Sequence, residues 1–283
     1  MKAIFFLHIP GNLDLLKAQL ATYPGTLNPS FLAPGFSTFK ADDVAYKALK
    51  EKPPFMALAM GEDASRNELS TTATVWVENK ELIFSHHGEF SYRDKKDQIW
   101  QGLCPEFEKL TKLATIELPP LAPSRAWLKI AQAFSLFPKA RSGHALEIGS
   151  SPGGASYFLR QQGLELVGLD PGEMDPLFKT DQGFTHLKKP VQDVQPRDLA
   201  KKFSLIAVDT NLPASMSVAE AIRVASWSGD VLKEVFLTIK LPAPKLISTL
   251  ESHKRALRKL GLKTLYKQLP SHHREILLYG YRS

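Results

Sequence analysis

A single cysteine, Cys104, stands in the 283 residues, so no intramolecular disulfide forms and no zinc site can be built on paired thiolates. Packing is its expected role. Long apolar runs are missing as well: the opening run at 3–7 meets His8 and Pro10 at once, too short for a signal-peptide core or a membrane span. A cytoplasmic protein with no membrane contact is the expectation. Internal repeats and low-complexity tracts are lacking, which argues against a solenoid or a tethering linker protein. Acidic residues are fewer than basic ones, 29 against 36, and the formal charge of +7 favours association with polyanions.

What is present divides in two. At roughly 150 residues per domain, the length suits about two domains. Prolines and glycines punctuate the first third, so helices there are short. The apolar runs at 2–8 and 55–60 are expected as buried strands, 14–21 and 42–49 as helices, and 72–77 with 81–85 as a hairpin around Glu78, Asn79 and Lys80. Residues 1–104 thus make a small α+β accessory domain. The stretch 105–123 ends on Pro119, Pro120, Leu121, Ala122 and Pro123, whose fixed φ angles make a stiff linker.

The second domain, 124–283, opens with Ser124 as an N-cap and an amphipathic run through Ala126, Leu128, Ile130, Ala133 and Phe134. Short apolar strands then alternate with helices: strands at 145–148, 165–169, 184–187, 205–208 and 235–239, helices at 155–162, 214–232 and 245–260. Right-handed crossovers follow from that alternation. Two closing runs, 262–269 and 275–281, leave no room for a helix between them and are expected to pair as an antiparallel hairpin at the sheet edge. The fold class expected is α/β, Rossmann-like, with a mostly parallel seven-stranded sheet.

The first strand of this domain runs into a glycine loop, 149–154, that opens a helix. Glycines there let backbone approach a ligand at the carboxyl edge of the sheet. The spacing is neither G-x-G-x-x-G nor a lysine-bearing P-loop, which disfavours NAD and ATP. Asp170 ends the second strand, where a carboxylate can accept both hydroxyls of a ribose, and Asp193 and Asp209 fall at or just after the next two strand ends. A helix-cap role for Asp193 stays open.

Five pieces taken together, residues 122–129, 147–154, 169–174, 207–209 and 238–242, resemble the FtsJ-type 2′-O-ribose RNA methyltransferases in order and approximate spacing, and most of all those that act on bacterial large-subunit ribosomal RNA. The resemblance covers roughly 120–283. It implies a methyltransferase domain using S-adenosylmethionine, held by Ser124, Gly149, Ser151, Gly153, Gly154, Ala155, Asp170, Asp193 and Asp209, and a catalytic Lys-Asp-Lys-Glu tetrad of Lys129, Asp209, Lys240 and Glu275. Glu275 has a competing reading as a surface carboxylate in a turn. The family usually has Asp, Ala and Trp where Glu147, Ser150 and Ala155 stand. The resemblance also implies an RNA partner, ribosomal by expectation; the accessory domain lies outside the resemblance, and its short α+β elements are those expected of an RNA-contacting module.

A ribose hydroxyl is a poor nucleophile at neutral pH, so methyl transfer to it needs a nearby base and fixed geometry. Lys240, at the end of a central strand, is the candidate base; Lys129 beside it is expected to orient it and lower its pKa, with Asp209 and Glu275 balancing the charge. Arg125, Lys139, Arg141, Lys188, Lys189 and Lys245 surround the motifs as candidate phosphate contacts. His272 and His273 point to opposite sides of an extended chain and make no metal cluster. The alternative function is an RNA-binding protein that keeps the fold with weakened or no turnover.

Overall fold

The computed structural model describes residues 1–67, 73–85 and 88–282. Two compact units make up the chain. The first comprises Met1–Thr115 with Pro242–Ile247 and His272–Arg274; the second comprises Ile116–Leu241, Ser248–Ser271 and Glu275–Ser283.

The first unit runs β1 (Lys2–Leu7), α1 (Leu13–Leu20), β2 (Leu27–Ala33), β3 (Phe36–Ala41), α2 (Asp43–Glu51), β4 (Ala59–Asn67), β5 (Val75–Glu78), β6 (Glu81–Phe84), β7 (Ser91–Arg93), β8 (Ile99–Leu103) and α3 (Phe107–Ala114). Its sheet order is β2-β3-β1-β4-β8-β7-β5-β6. Ile4, Phe5, Phe6 and Leu7 are all fully buried, as suits a strand flanked by neighbours and covered on both faces. Asp42 caps α2, one carboxylate oxygen accepting from Ala45 N and the other from Thr26 N, both at 2.8 Å. The core is aromatic: Phe5 stacks on Phe90 and Phe36 on Tyr92.

Two expectations for this region need correcting, and one holds. The run 55–60 is a strand only from Ala59 onward. Before it, Pro53 and Pro54 lack an N–H, while Met56 N donates to Gln19 Oε1 and Leu58 N to Leu7 O, so buried Met56 and Leu58 sit in a loop. The expected linker contains α3, because Phe107, Leu110 and Leu113 recur at helical spacing and bury one face. The hairpin pairs Val75–Glu78 with Glu81–Phe84; Thr72, expected in its first strand, lies outside the described residues.

The second unit runs α4 (Ala126–Leu136), β9 (His144–Ile148), α5 (Gly154–Gln161), β10 (Glu165–Leu169), β11 (Phe184–Leu187), β12 (Leu205–Val208), α6 (Ala214–Ser226), β13 (Glu234–Lys240), α7 (Leu250–Arg258), β14 (Lys263–Lys267) and β15 (Glu275–Tyr281). Its sheet, in the order β11-β10-β9-β12-β13-β15-β14, is mixed: β11 to β13 pair in parallel, while β15 is antiparallel to both β13 and β14. The closing hairpin stands at the sheet edge as expected, with β15 entering between β13 and β14 and β14 outermost. The β15 run Ile276, Leu277, Leu278 and Tyr279 is wholly buried, as an interior strand requires, whereas β14 carries Lys263 and Lys267 and takes the edge.

The helix expected over 214–232 stops at Ser226, where Gly229 at φ +54° turns the chain into a short 3-10 segment, Gly229–Val231. That expected over 245–260 begins as the 3-10 turn Pro244–Thr249 and is α-helical only from Leu250. Trp127 and Phe134 of α4 meet Phe158 of α5 edge-on, at 5.3 and 5.0 Å between centroids, which fixes α4 against the helix that follows the glycine loop. At the far end of the sheet Arg141 grips buried Glu234 with Nε at 2.7 Å and Nη2 at 3.0 Å.

Candidate active site

Four side chains converge at the carboxyl ends of the central strands. Lys129 stands one turn into α4; Asp209 follows the last residue of β12; Lys240 ends β13; Glu275 begins β15 and pairs with Lys240 in register. Lys129 Nζ lies 2.8 Å from Asp209 Oδ2 and 2.8 Å from Glu275 Oε1. Lys240 Nζ lies 2.7 Å from Glu275 Oε2 and 3.3 Å from Asp209 Oδ1. The result is a closed ring of alternating charge. Glu275 sits at the first position of a buried strand, its side chain 6% exposed, rather than in a surface turn. Lys240 is the more exposed of the two lysine side chains, 32% against 17% for Lys129.

Burial is the largest single influence on Lys240 and pushes its pKa down, but the Asp209 and Glu275 carboxylates together outweigh it and the net direction is up. That is opposite to the lowering expected from a second ammonium nearby. With two carboxylates between the amines, attraction at 2.7 to 3.3 Å exceeds repulsion across the ring.

Beside the ring opens a cavity of about 410 Å³, walled by Ile148, Leu169, Val191 and Leu212 and carrying Gly149, Ser151, Asp170, Asp209, Thr210 and Asn211. Apolar walls with a few polar groups at strand ends suit a nucleoside-sized ligand. Gly149 has φ +86°, and a Cβ there would lie 2.3 Å from the Asp209 carbonyl oxygen, so only glycine lets β9 and β12 close at this point. Asp170 Oδ1 accepts from Gly172 N at 2.7 Å, which aims the carboxylate at the end of β10. The fit to S-adenosylmethionine is thus carried by Asp170 and the apolar walls. The loop amides contribute less, since Gly149 N already donates to Leu169 O at 2.9 Å.

Of the nine residues expected around that ligand, Gly149, Ser151, Asp170 and Asp209 line the cavity. The other five stand elsewhere. A Cβ on Gly154 would meet Ser124 Oγ at 2.2 Å, so this pair lets the start of α5 approach the start of α4. Gly153, at φ +121°, is pressed against the Phe178 ring, 2.2 Å from where its Cβ would be. Ala155 is buried in α5, and Asp193 is exposed at the end of a 3-10 turn whose preceding residues, Val191 and Gln192, are the ones on the wall. Pro190 to Gln192 and Thr210 to Leu212 also line the cavity; their only signal in the sequence is position in the loops that follow β11 and β12.

Beneath the loop, Glu147 is buried and accepts a hydrogen bond from Ser156 Oγ of α5. Burial, with Asp209 and Asp170 adding negative charge nearby, pushes its carboxyl up to about 8 against the pull of Ser156. Ser150, also buried, directs its hydroxyl at Met174 Sδ, 3.5 Å away. Among the candidate phosphate contacts, Arg141 and Lys139 both lie on Glu234, Lys188 pairs with Glu173, and Lys189 with Asp198. Arg141 is largely buried and offers no guanidinium face to RNA. Burial pushes the Cys104 thiol up to about 12, which leaves it unreactive.

The FtsJ-like methyltransferase family model matches residues 122–246. The Ribosomal RNA large subunit methyltransferase M of Halorhodospira halophila is 26% identical over 186 residues, which are 64% of this chain and 53% of that protein. The protein of the same name from Shewanella frigidimarina is 31% identical over 131 residues, covering 43% of this chain and 34% of its own length. The chain spans about half the length of the curated relatives it matches. Among solved structures, the magnesium protoporphyrin IX methyltransferase of Synechocystis PCC 6803 with bound SAH is 13% identical, with a TM-score of 0.41 over 62% of this chain and 94% of that one, too distant to carry anything over.

Proposed function

We propose, from the premise that residues 122–246 are an FtsJ-like methyltransferase domain, that the chain transfers a methyl group from S-adenosylmethionine to a ribose 2′-hydroxyl of RNA, and that large-subunit ribosomal RNA is the substrate. The observation that carries the proposal is the ring of Lys129, Asp209, Lys240 and Glu275 opening beside a nucleoside-sized cavity with which it shares Asp209. The bound sulfonium supplies an electrophilic methyl. This chain's own residues do the rest.

Lys240, the more exposed of the two lysines, accepts the hydroxyl proton at Nζ. Its raised pKa makes the resting amine an ammonium, so the reactive form is a minority that grows with pH. Lys129 holds both carboxylates from the buried side and keeps them from swinging toward solvent. Glu275 and Asp209 each touch both amines and orient Lys240 toward the opening. Asp170, at the end of β10, accepts from a ribose of the cofactor, and the cavity's apolar walls exclude water from its base.

The deciding experiment is single-turnover methyl transfer to transcribed large-subunit ribosomal RNA, with 2′-O-methylated nucleotides mapped, beside direct titration of the cofactor. Transfer to a ribose oxygen that is lost in Lys240→Ala while cofactor binding persists supports the proposal. Cofactor binding with no transfer to RNA, or transfer to a base nitrogen or carbon, overturns it. RNA binding without cofactor binding selects the alternative, a fold retained for RNA contact alone.

A further inference from the structure

The charge excess is not spread evenly. The first unit carries 15 lysines and arginines against 14 acids, the second 21 against 15, so nearly all of the +7 belongs to the second. Most cations of that unit are already taken: Arg160 by Asp181, Lys188 by Glu173, Lys189 by Asp198, Lys201 by Glu165. A few of those described, such as Lys179, Arg197 and Lys202, are not, and the cations are densest in one stretch. Residues 250–267 hold six lysines and arginines and a single acid, Glu251, whose contacts to Arg258 and Lys254 are long, at 3.5 and 3.9 Å.

Helical spacing places these charges together. Leu250, His253 and Leu257 bury one stripe of α7, which turns Arg255, Arg258 and the C-cap residue Lys259 outward on the opposite side. Neighbours at three and four residues lie about 5–6 Å apart at Cβ. Arg258 Nε donates to Thr264 Oγ1 of β14 at 2.9 Å, which joins the helix face to the edge strand, where Lys263 is exposed. Arg255, Lys259 and Lys263 have no ion-pair partner among the described residues. A favourable helix dipole and protection of an edge strand each account for a charge or two here. Four exposed cations continuous from helix to edge exceed either need alone and form one surface across both elements.

We infer that this face, Arg255, Arg258, Lys259 and Lys263, is a docking surface for the phosphate backbone of the RNA substrate. The inference rests on the RNA reading above and adds where the electrostatic grip lies. It lies away from the chemistry. Lys240 pairs with Glu275 at one end of β15 and Lys263 with Tyr281 at the other, six residues on, about 20 Å away. The surface therefore holds a part of the RNA remote from the reacting ribose, so it acts on affinity and leaves the chemical step alone.

The test compares two triple variants of the full chain with equal charge change: Arg255→Gln with Arg258→Gln and Lys259→Gln, and a control of Lys17→Gln with Lys47→Gln and Lys52→Gln, exposed in the first unit. Binding to transcribed large-subunit ribosomal RNA is titrated from 50 to 200 mM salt. In the first variant the log–log salt slope is expected to fall by about 2 to 3 units, with affinity at 100 mM lower by tenfold or more. The control is expected to change affinity less than threefold. Cofactor affinity and single-turnover rate at saturating RNA stay at the wild-type value in both. Lys259→Gln with Lys263→Gln leaves the Arg258–Thr264 bond intact and gives the same direction if the triple variant melts early. Equal losses in both triple variants, or an unchanged slope in the first, overturn the inference and leave the RNA reading standing. Wild-type protein without affinity for RNA overturns both.

Discussion

Replacing Glu147 by glutamine is expected to remove a large pH-dependent burden on the second unit near neutral pH. The carboxyl is 2% exposed and titrates at about 8 in the fold, against 4.5 when free of it. Because the folded value is raised, the native state binds the extra proton between those limits, and stability falls as pH rises through the window. Each pH unit inside it costs about 1.4 kcal/mol, so from pH 5 to 7.5 the wild type loses about 3 kcal/mol that the glutamine variant, still able to accept from Ser156, does not. Other groups titrate in the same range. Burial holds His8 of the first unit down to about 4, and its contribution runs the other way, present above pH 6.5 and lost as pH falls. It is common to both proteins and cancels in the difference. Urea unfolding followed by fluorescence at half-unit steps from pH 5 to 8.5 gives that difference directly. If the stability gap between variant and wild type changes by less than about 1 kcal/mol over this range, the carboxyl is ionised or hydrated in the fold, and the account of its burial is wrong.

Four further outcomes are open to measurement. Lys240→Ala should lower single-turnover methyl transfer by about 10²-fold or more with cofactor affinity unchanged, and Lys240→Arg should not restore it, because a guanidinium stays protonated. The wild-type rate should rise about tenfold per pH unit from 7 to 9, since Lys240 is held above its ordinary value; a plateau below pH 8 would show that another group sets the rate. Gly153→Val should fail by unfolding rather than by blocking the cofactor, as its Cβ meets Phe178 at 2.2 Å with φ +121°; a melting temperature equal to wild type would refute this. Arg141→Ala should cost about 3 kcal/mol, because Glu234 is left buried with only Lys139 and the Tyr279 hydroxyl; a loss under about 1 kcal/mol in chemical unfolding would show that those two suffice.

The parallel strands of the second unit were legible to within a residue: the interior strands β12 and β13 read as buried apolar runs, while β11, the half-exposed edge, was marked by the turns on either side of it. The first unit resisted. β2 carries Pro29 and a register shift, and its burial does not alternate, so no period marks it. Helix ends failed where a 3-10 turn takes over, at Gly229 and at Pro244, since both continue an apolar pattern that periodicity alone reads as helix. The four ring residues, spread over 146 positions from Lys129 to Glu275, were reached through motif resemblance; nothing local in the sequence tells that each amine would touch both acids. The cavity wall was half missed for a related reason, as Val191 and Leu212 follow strand ends as ordinary loop residues and become a wall only when two crossovers bring them to one crevice.

The ring has no free end. Each member is ion-paired with two of opposite sign, so the arrangement is a closed circuit of zero total charge, and a disturbance at one corner reaches both neighbours at once. Deleting one amine strands two acids around a single partner; deleting one acid forces two ammoniums onto one carboxylate. No single substitution isolates one residue's share, because the three that remain are rearranged by the same change. Paired substitutions that remove one amine and one acid together, such as Lys129→Met with Asp209→Asn, keep the sum at zero while opening the circuit. Set against the two single variants, they separate the value of neutrality from the value of closure.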